Sequence, residues 1–168
     1  MRITEVKDKK IIVDSNIAIY YANQGFKERS ENILRTLKNS GNTLAISEIT
    51  SFELLNIDPK DQRIKYYINF INYIERIEVS ATILKNAALL NSEFKRFGCK
   101  HNIPLADLII GGTVINIPNS LLLTADRSDF CEPLWKTVAH YPVLKNKTDI
   151  DVNVYLLEFN NELSFSNS

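Results

Sequence analysis

Two cysteines in 168 residues are too few for a disulfide framework, and Cys99 and Cys131 form neither a CxxC pair nor a Cys/His zinc motif. The expectation is two free thiols in a reducing compartment. Histidine is equally scarce: His101 and His140 lie in no ligand motif, so zinc is not indicated and neither imidazole is placed for general-base work. Five glycines and five prolines are too few for a disordered or fibrous chain. No apolar run is long enough to cross a bilayer, and the charged start MRITEVKDKK lacks the apolar core of a secretory leader. An excess of charge is also missing. Twenty basic residues balance twenty acidic ones, which argues against a nonspecific nucleic-acid coat while leaving room for a local basic rim. What remains, 45% hydrophobic and 24% charged, suits a globular chain, expected to be cytoplasmic and to form one domain over residues 1–168.

Against that background the apolar runs stand out. Ile11-Ile12-Val13 and Leu121-Leu122-Leu123-Thr124 read as short, fully buried strands of a parallel sheet. Thr43–Ser47 and Arg76–Ser80 read as further strands, and Val138–Val143 and Val154–Phe159 have strand composition. Between them, helical spacing predicts a helix from Ile17 that breaks near Asn23-Gln24-Gly25, one over Lys27–Lys38 with a stop at Ser40-Gly41-Asn42, and an amphipathic one over Asp61–Glu75. Ser47 is positioned to cap a helix carrying Glu53 on its second turn. Gly98 suits the left-handed end of a helix over Ala81–Phe97. Pro104 introduces one that holds Asp107 in its first turn, and Gly111-Gly112 allow it to pack closely. The polar tail Asn160–Ser168 is expected to fray. Alternating strands and helices predict an α/β domain with a mostly parallel central sheet flanked by helices.

Asp14 follows the first strand and Asp126 the Leu121–Thr124 strand. A carboxylate at the tip of a buried element is expensive unless its charge is needed there. Ligands of open α/β sheets bind outside the carboxyl ends of strands, so the two aspartates point to a shared acidic pocket for a divalent cation with oxygen ligands.

Four segments carry a resemblance. Asp14-Ser15-Asn16 after its strand, Ser47-Glu48-Ile49-Thr50-Ser51-Phe52-Glu53-Leu54, Ile103-Pro104-Leu105-Ala106-Asp107-Leu108-Ile109-Ile110 and Leu123-Thr124-Ala125-Asp126-Arg127-Ser128-Asp129-Phe130 resemble, in order, the acidic motifs of PIN-domain ribonucleases, with VapC-like toxins nearest in pattern. The matched stretch runs from about residue 11 to about residue 143, leaving 144–168 as an extension that could add an edge strand.

The resemblance implies a PIN-like fold, a metal-dependent endoribonuclease and the toxin half of a toxin–antitoxin pair, with an antitoxin protein as partner and a homodimer. It implies that Asp14 and Asp107 are direct ligands of Mg2+ or Mn2+, and that Glu53 and either Asp126 or Asp129 hold a second ion or its waters. Thr124, Ser15 and Asn16 are implied as supporting contacts. Paired cations suit phosphodiester hydrolysis, since they generate hydroxide near neutral pH and offset charge on the phosphoryl oxygens. Lys95, Arg96, Lys100, His101 and Arg127 flank the motifs and are candidates for contacts to the RNA backbone. Trp135 is expected in the core, and Tyr20, Tyr21 and Phe26 are candidates for a partner's groove. Two other classes compete: a non-catalytic PIN-like module that binds RNA or protein, and a phospho-acceptor domain with Asp14 as acceptor, which gives Glu53 no role.

Overall fold

The computed structural model describes residues 2–23, 26–99, 102–144 and 151–162. Within them, strands β1 (Lys10–Val13), β2 (Thr43–Ser47), β3 (Glu75–Ile77), β4 (Ser120–Thr124), β5 (Trp135–Leu144) and β6 (Asp151–Phe159) form one sheet in the order β3-β2-β1-β4-β6-β5. The β3-β2-β1-β4 pairings are parallel, and β6 runs antiparallel to both β4 and β5. Helices α1 (Ser15–Ala22), α2 (Lys27–Asn39), α3 (Glu48–Leu55) and α4 (Ile64–Tyr73) connect β1 to β2 and β2 to β3. Helices α5 (Ala81–Arg96) and α6 (Leu105–Asn116) lead from β3 back to β4. The expected α/β, mostly parallel architecture is present.

Strand periodicity divides the core. Ile11, Val13, Leu44, Ile46, Leu121 and Leu123 face a layer that includes Ile17, Leu34, Leu54, Tyr67 and Phe70. Their neighbours Ile12, Ala45 and Leu122 face Leu90, Phe94, Ile110 and Trp135. Because both faces are covered, the inner strands are apolar at successive positions, as the sequence shows. The chain leaves β1 toward β2, while β4 pairs on the other side of β1, so the carboxyl ends of β1 and β4 flank the point where strand order reverses. Asp14 and Asp126 lie there.

Several expectations need correction. Cys99 and Cys131 are disulfide-bonded, not free, with Cα atoms 6.2 Å apart across a separation of 32 residues. Sequence spacing could not show this, because the pairing is made by the packing of α5 beside the turn after β4. Ser47 makes no side-chain cap on α3. It is buried, and its hydroxyl accepts a 3.1 Å bond from Thr113 Oγ1 on α6. The extension supplies no edge strand: β6 lies between β4 and β5, and β5 is at the edge. Leu156 and Leu157 of β6 are fully buried on opposite faces, which an edge position would not provide, whereas β5 carries Pro142, better tolerated at an edge. The tail does not fray from Asn160, whose amide donates to the Leu134 carbonyl at 2.8 Å; residues 163–168 lie outside the described residues. The helix expected over 61–75 and the strand over 76–80 are shorter, because Ile74 turns extended to enter β3 and Ser80 caps α5 through its bond from the Ile83 amide.

Glycine makes the α5–α6 contact. A Cβ on Gly112 would stand 2.6 Å from the Ile83 carbonyl oxygen and 2.9 Å from the Ala87 amide nitrogen, both backbone atoms of α5. One on Gly111 would meet the Leu90 side chain at 2.5 Å. A side chain can turn aside more cheaply than a helix backbone. Gly112→Ala is therefore expected to lower unfolding stability by about 1–3 kcal/mol, and Gly111→Ala by less, when urea midpoints are compared.

Candidate functional site

Asp14 ends β1 and starts α1, with only 2% of its surface exposed. Its Oδ1 accepts from the Ser15 amide at 2.6 Å and the Ser15 hydroxyl at 3.3 Å. Its Oδ2 accepts from Thr124 Oγ1 at 2.6 Å and Asn16 Nδ2 at 2.7 Å. Burial pushes this carboxyl above the ordinary range, and the bonds from Thr124, Ser15 and Asn16 oppose that. The same groups tie β1 to β4: Asn16 Oδ1 accepts from the Ala125 amide at 3.0 Å, and Thr124 Oγ1 accepts from the Asp126 amide at 3.0 Å. Ser15, Asn16 and Thr124 therefore all converge on Asp14.

The other acids arrive from separate elements. Asp107, in the first turn of α6, is pushed up to about 7, first by burial and then by the charges of Asp14, Asp129, Glu53 and Asp126, in that order. Glu53, on α3, is raised by burial and by Asp14, against a hydrogen bond from Ser15. Its Oε2 is buried without a hydrogen-bond partner. Five acids thus share one electrostatic neighbourhood, although they are spread over residues 14–129.

Asp126 and Asp129 occupy that neighbourhood differently. Asp126 is exposed and caps the 3₁₀ turn Arg127–Asp129, its Oδ1 accepting from the Ser128 amide at 3.1 Å and hydroxyl at 2.6 Å. Asp129 is 5% exposed and raises Asp107 more than Asp126 does. Asp129 is therefore the inward acid of the pair and Asp126 the one that shapes the turn.

The chemistry of the donor set fits a hard divalent cation: carboxylates only, Asp107 among them raised by burial and by its neighbours' charges, with one orphaned buried oxygen on Glu53. Among the described residues, no three Asp, Glu, His or Cys side chains are grouped closely enough to form a ready-made cation cage.

The basic candidates separate. Arg127 turns inward, donating to Thr137 Oγ1 at 3.2 Å, Glu132 Oε1 at 3.1 Å and the Trp135 carbonyl at 2.9 Å. Arg96 pairs with Glu93 at 2.8 Å, while Lys100 and His101 lie outside the described residues. His140, on β5, stacks beside Tyr155, and Trp135 is core, as expected. Phe26 is buried, with Tyr20 packed on it at 5.1 Å, so that ring lines no open groove; Tyr20 itself is raised by burial, then by Asp126 and Asp14. Sequence reasoning missed Arg63 and Tyr67, which line a depression beside the acids together with Ser15, Ile19, Glu53, Leu54 and Ile57. Nothing in their spacing from the acidic motifs signals this, since the turn between α3 and α4 brings them there.

No family model matches the chain, and no curated protein matches it. Solved structures do. A chain of the VapBC2 complex of Rickettsia felis bound to a promoter DNA fragment aligns with a TM-score of 0.60 and 26% identity, over 72% of this chain and 90% of that one. VapBC-1 of nontypeable Haemophilus influenzae (TM-score 0.56, 22% identity, 72% and 90% covered) and a toxin–antitoxin complex of Klebsiella pneumoniae (0.55, 22%, 73% and 92%) share the fold. Strand order, a set of acids at the reversal point and these neighbours agree, and the chain has the fold of a VapC-like PIN toxin.

Proposed function

We propose that this protein is a metal-dependent endoribonuclease and the toxin of a toxin–antitoxin pair. The observation that carries the reading is that Asp14, Glu53, Asp107 and Asp129, on four separate elements, share one electrostatic neighbourhood at the reversal point of the sheet. A solvated helix end or a turn accounts for any one of them, but not for a set in which burial and the neighbouring charges push Asp107 up to about 7 in the absence of a counter-charge.

In this reading Asp14 and Asp107 would hold Mg2+ or Mn2+ directly, while Glu53 and Asp129 would hold a second ion or its waters. Bound cations would supply a hydroxide near neutral pH and offset charge on the phosphoryl oxygens. The chain's own part is orientation. Ser15, Asn16 and Thr124 fix both oxygens of Asp14, so this carboxylate meets a cation with little reorganisation. Asp126 shapes the turn that aims Asp129, and the burial of Asp14 and Asp129 keeps water from competing for their oxygens. RNA is the proposed substrate.

The proposed partner is an antitoxin protein, in keeping with the toxin–antitoxin complexes among the structural neighbours. Exposed Ile19, which lines the depression that reaches Glu53, and exposed Phe52 and Leu55 on α3 offer it an apolar footing. A homodimer is proposed as well. The runner-up, a non-catalytic PIN-like module, draws support from the absence of a ready-made cation cage among the described residues.

Purified protein freed of any partner is expected to cleave a mixed RNA pool with Mn2+ or Mg2+ but not with chelator. Asp14→Asn and Asp107→Asn should each lower the rate at least about a hundredfold. Cleavage unaffected by chelator, or surviving in both variants, defeats the proposal, and Mn2+ binding without cleavage of any RNA favours the module.

A pH dependence follows from Asp107. Its carboxyl is raised in the folded protein, so the metal-free folded state binds more protons than the unfolded one between the ordinary carboxylate range and about 7. Stability is therefore expected to fall as pH rises through that window. Above about pH 7 metal-free Asp107→Asn should melt higher than the parent, with the gap closing near pH 4. Added Mn2+ should reverse the order at high pH, because only the parent keeps that ligand. Thermal melts at several pH values, with and without Mn2+, check both signs.

A further inference from the structure

Two of the acids lie close in the chain to the two cysteines. Asp129 lies on a 3₁₀ turn of three residues, too short to set its own position. Asp107 lies in the first turn of α6, eight residues after Cys99, and the charges of Asp129 and Asp126 bear on it. Cys131 is two residues beyond Asp129, and Cys99 ends the C-terminal turn of α5. That turn is rigid: Gly98 takes a positive φ of 67°, its amide donates to the Lys95 carbonyl at 3.2 Å, and the Cys99 amide donates to the Phe94 carbonyl at 2.9 Å. On the other side, the Cys131 carbonyl accepts from the Trp135 amide at 3.1 Å, and Arg127 bonds Thr137, Glu132 and the Trp135 carbonyl. The disulfide therefore joins two well-anchored points, one leading into Asp107 and one leading out of Asp129.

We infer that the Cys99–Cys131 disulfide is a positioning clasp that holds together the segments carrying Asp107 and Asp129, and that a dithiol reductant opens it and weakens cation binding in the acidic pocket. These are the only two cysteines of the chain. Cys99 is 7% exposed, whereas Cys131 is half-buried and is the sulfur a reductant reaches. A dithiol's thiolate attacks the Cys131 sulfur and Cys99 leaves as thiolate. The second thiolate of the reductant then displaces Cys131, so the protein gains two electrons and two protons in all and the reductant becomes a cyclic disulfide. The cation part of this inference rests on the function proposed above, but the clasp does not.

The test compares the full-length oxidised protein, the same protein reduced with dithiothreitol and Cys99→Ser/Cys131→Ser. Mn2+ affinity is read by calorimetry and amide exchange by mass spectrometry. The reduced protein and the double variant are expected to bind Mn2+ roughly tenfold more weakly than the oxidised protein. Exchange should quicken over 102–110 and 126–131 and stay unchanged in β1 and β2. Leu37→Ala, which weakens the core at α2, should lower the melting temperature while leaving Mn2+ affinity intact, which separates positioning from general stability. If exchange quickens on reduction but no form binds Mn2+, the clasp stands and the cation reading falls. Equal affinity and equal exchange in all forms, or two alkylatable thiols in protein purified without reductant, overturn the inference.

Discussion

A buried carboxylate at the end of the first strand governs much of this molecule. Removing a charge from water is tolerated only where enough donors surround it, and Asp14 has four: an amide, two hydroxyls and a side-chain amide. Those donors belong to the start of α1 and the end of β4. Satisfying one charge therefore fixes how the first helix leaves the sheet and where the Ala125–Asp129 turn begins. The hydrogen bonds only partly offset the burial, which leaves the Asp14 carboxyl above the ordinary range.

The second face of the sheet does the complementary work. Asp107 reaches the pocket only because α6 lies close against α5 through Gly112, and Thr113 of the same helix bonds Ser47 at the end of β2. One helix is thus registered against α5 and against the strand that launches α3, so Asp107 and Glu53 are positioned by a common brace. Apolar packing here sets distances between charges.

Much of this was legible in the sequence, for identifiable reasons. Ile11–Val13 and Leu121–Thr124 announce buried strands because both faces are covered, and Gly98 marks the end of α5 because its left-handed conformation suits glycine. Asp14, Glu53, Asp107, Asp126 and Asp129 were legible as one set through the order of their motifs, and the structure brings them into one neighbourhood. Tertiary choices were not legible. The capping role of Ser47 lost to a partner 66 residues away, the cysteines paired across 32, and β6 took an interior place that its composition alone does not distinguish from an edge. The difference between Asp126 and Asp129 is likewise set by a turn whose direction depends on Arg127 and β5.

The interior position of β6 ties the acidic pocket to the order in which the chain is made. Thr124, which donates to Asp14, pairs across the sheet with Tyr155, and Leu123 pairs with Leu156. A ribosome that has released β5 but still holds β6 carries a sheet ending at β4, with Leu122 and Leu123 lacking their neighbours and the acid-bearing turn hanging from an unpaired edge. Every acid has been synthesised by then, yet the footing of the pocket has not. Synthesis thus delays the assembly of the acidic pocket until β6 emerges and slots between two strands already made.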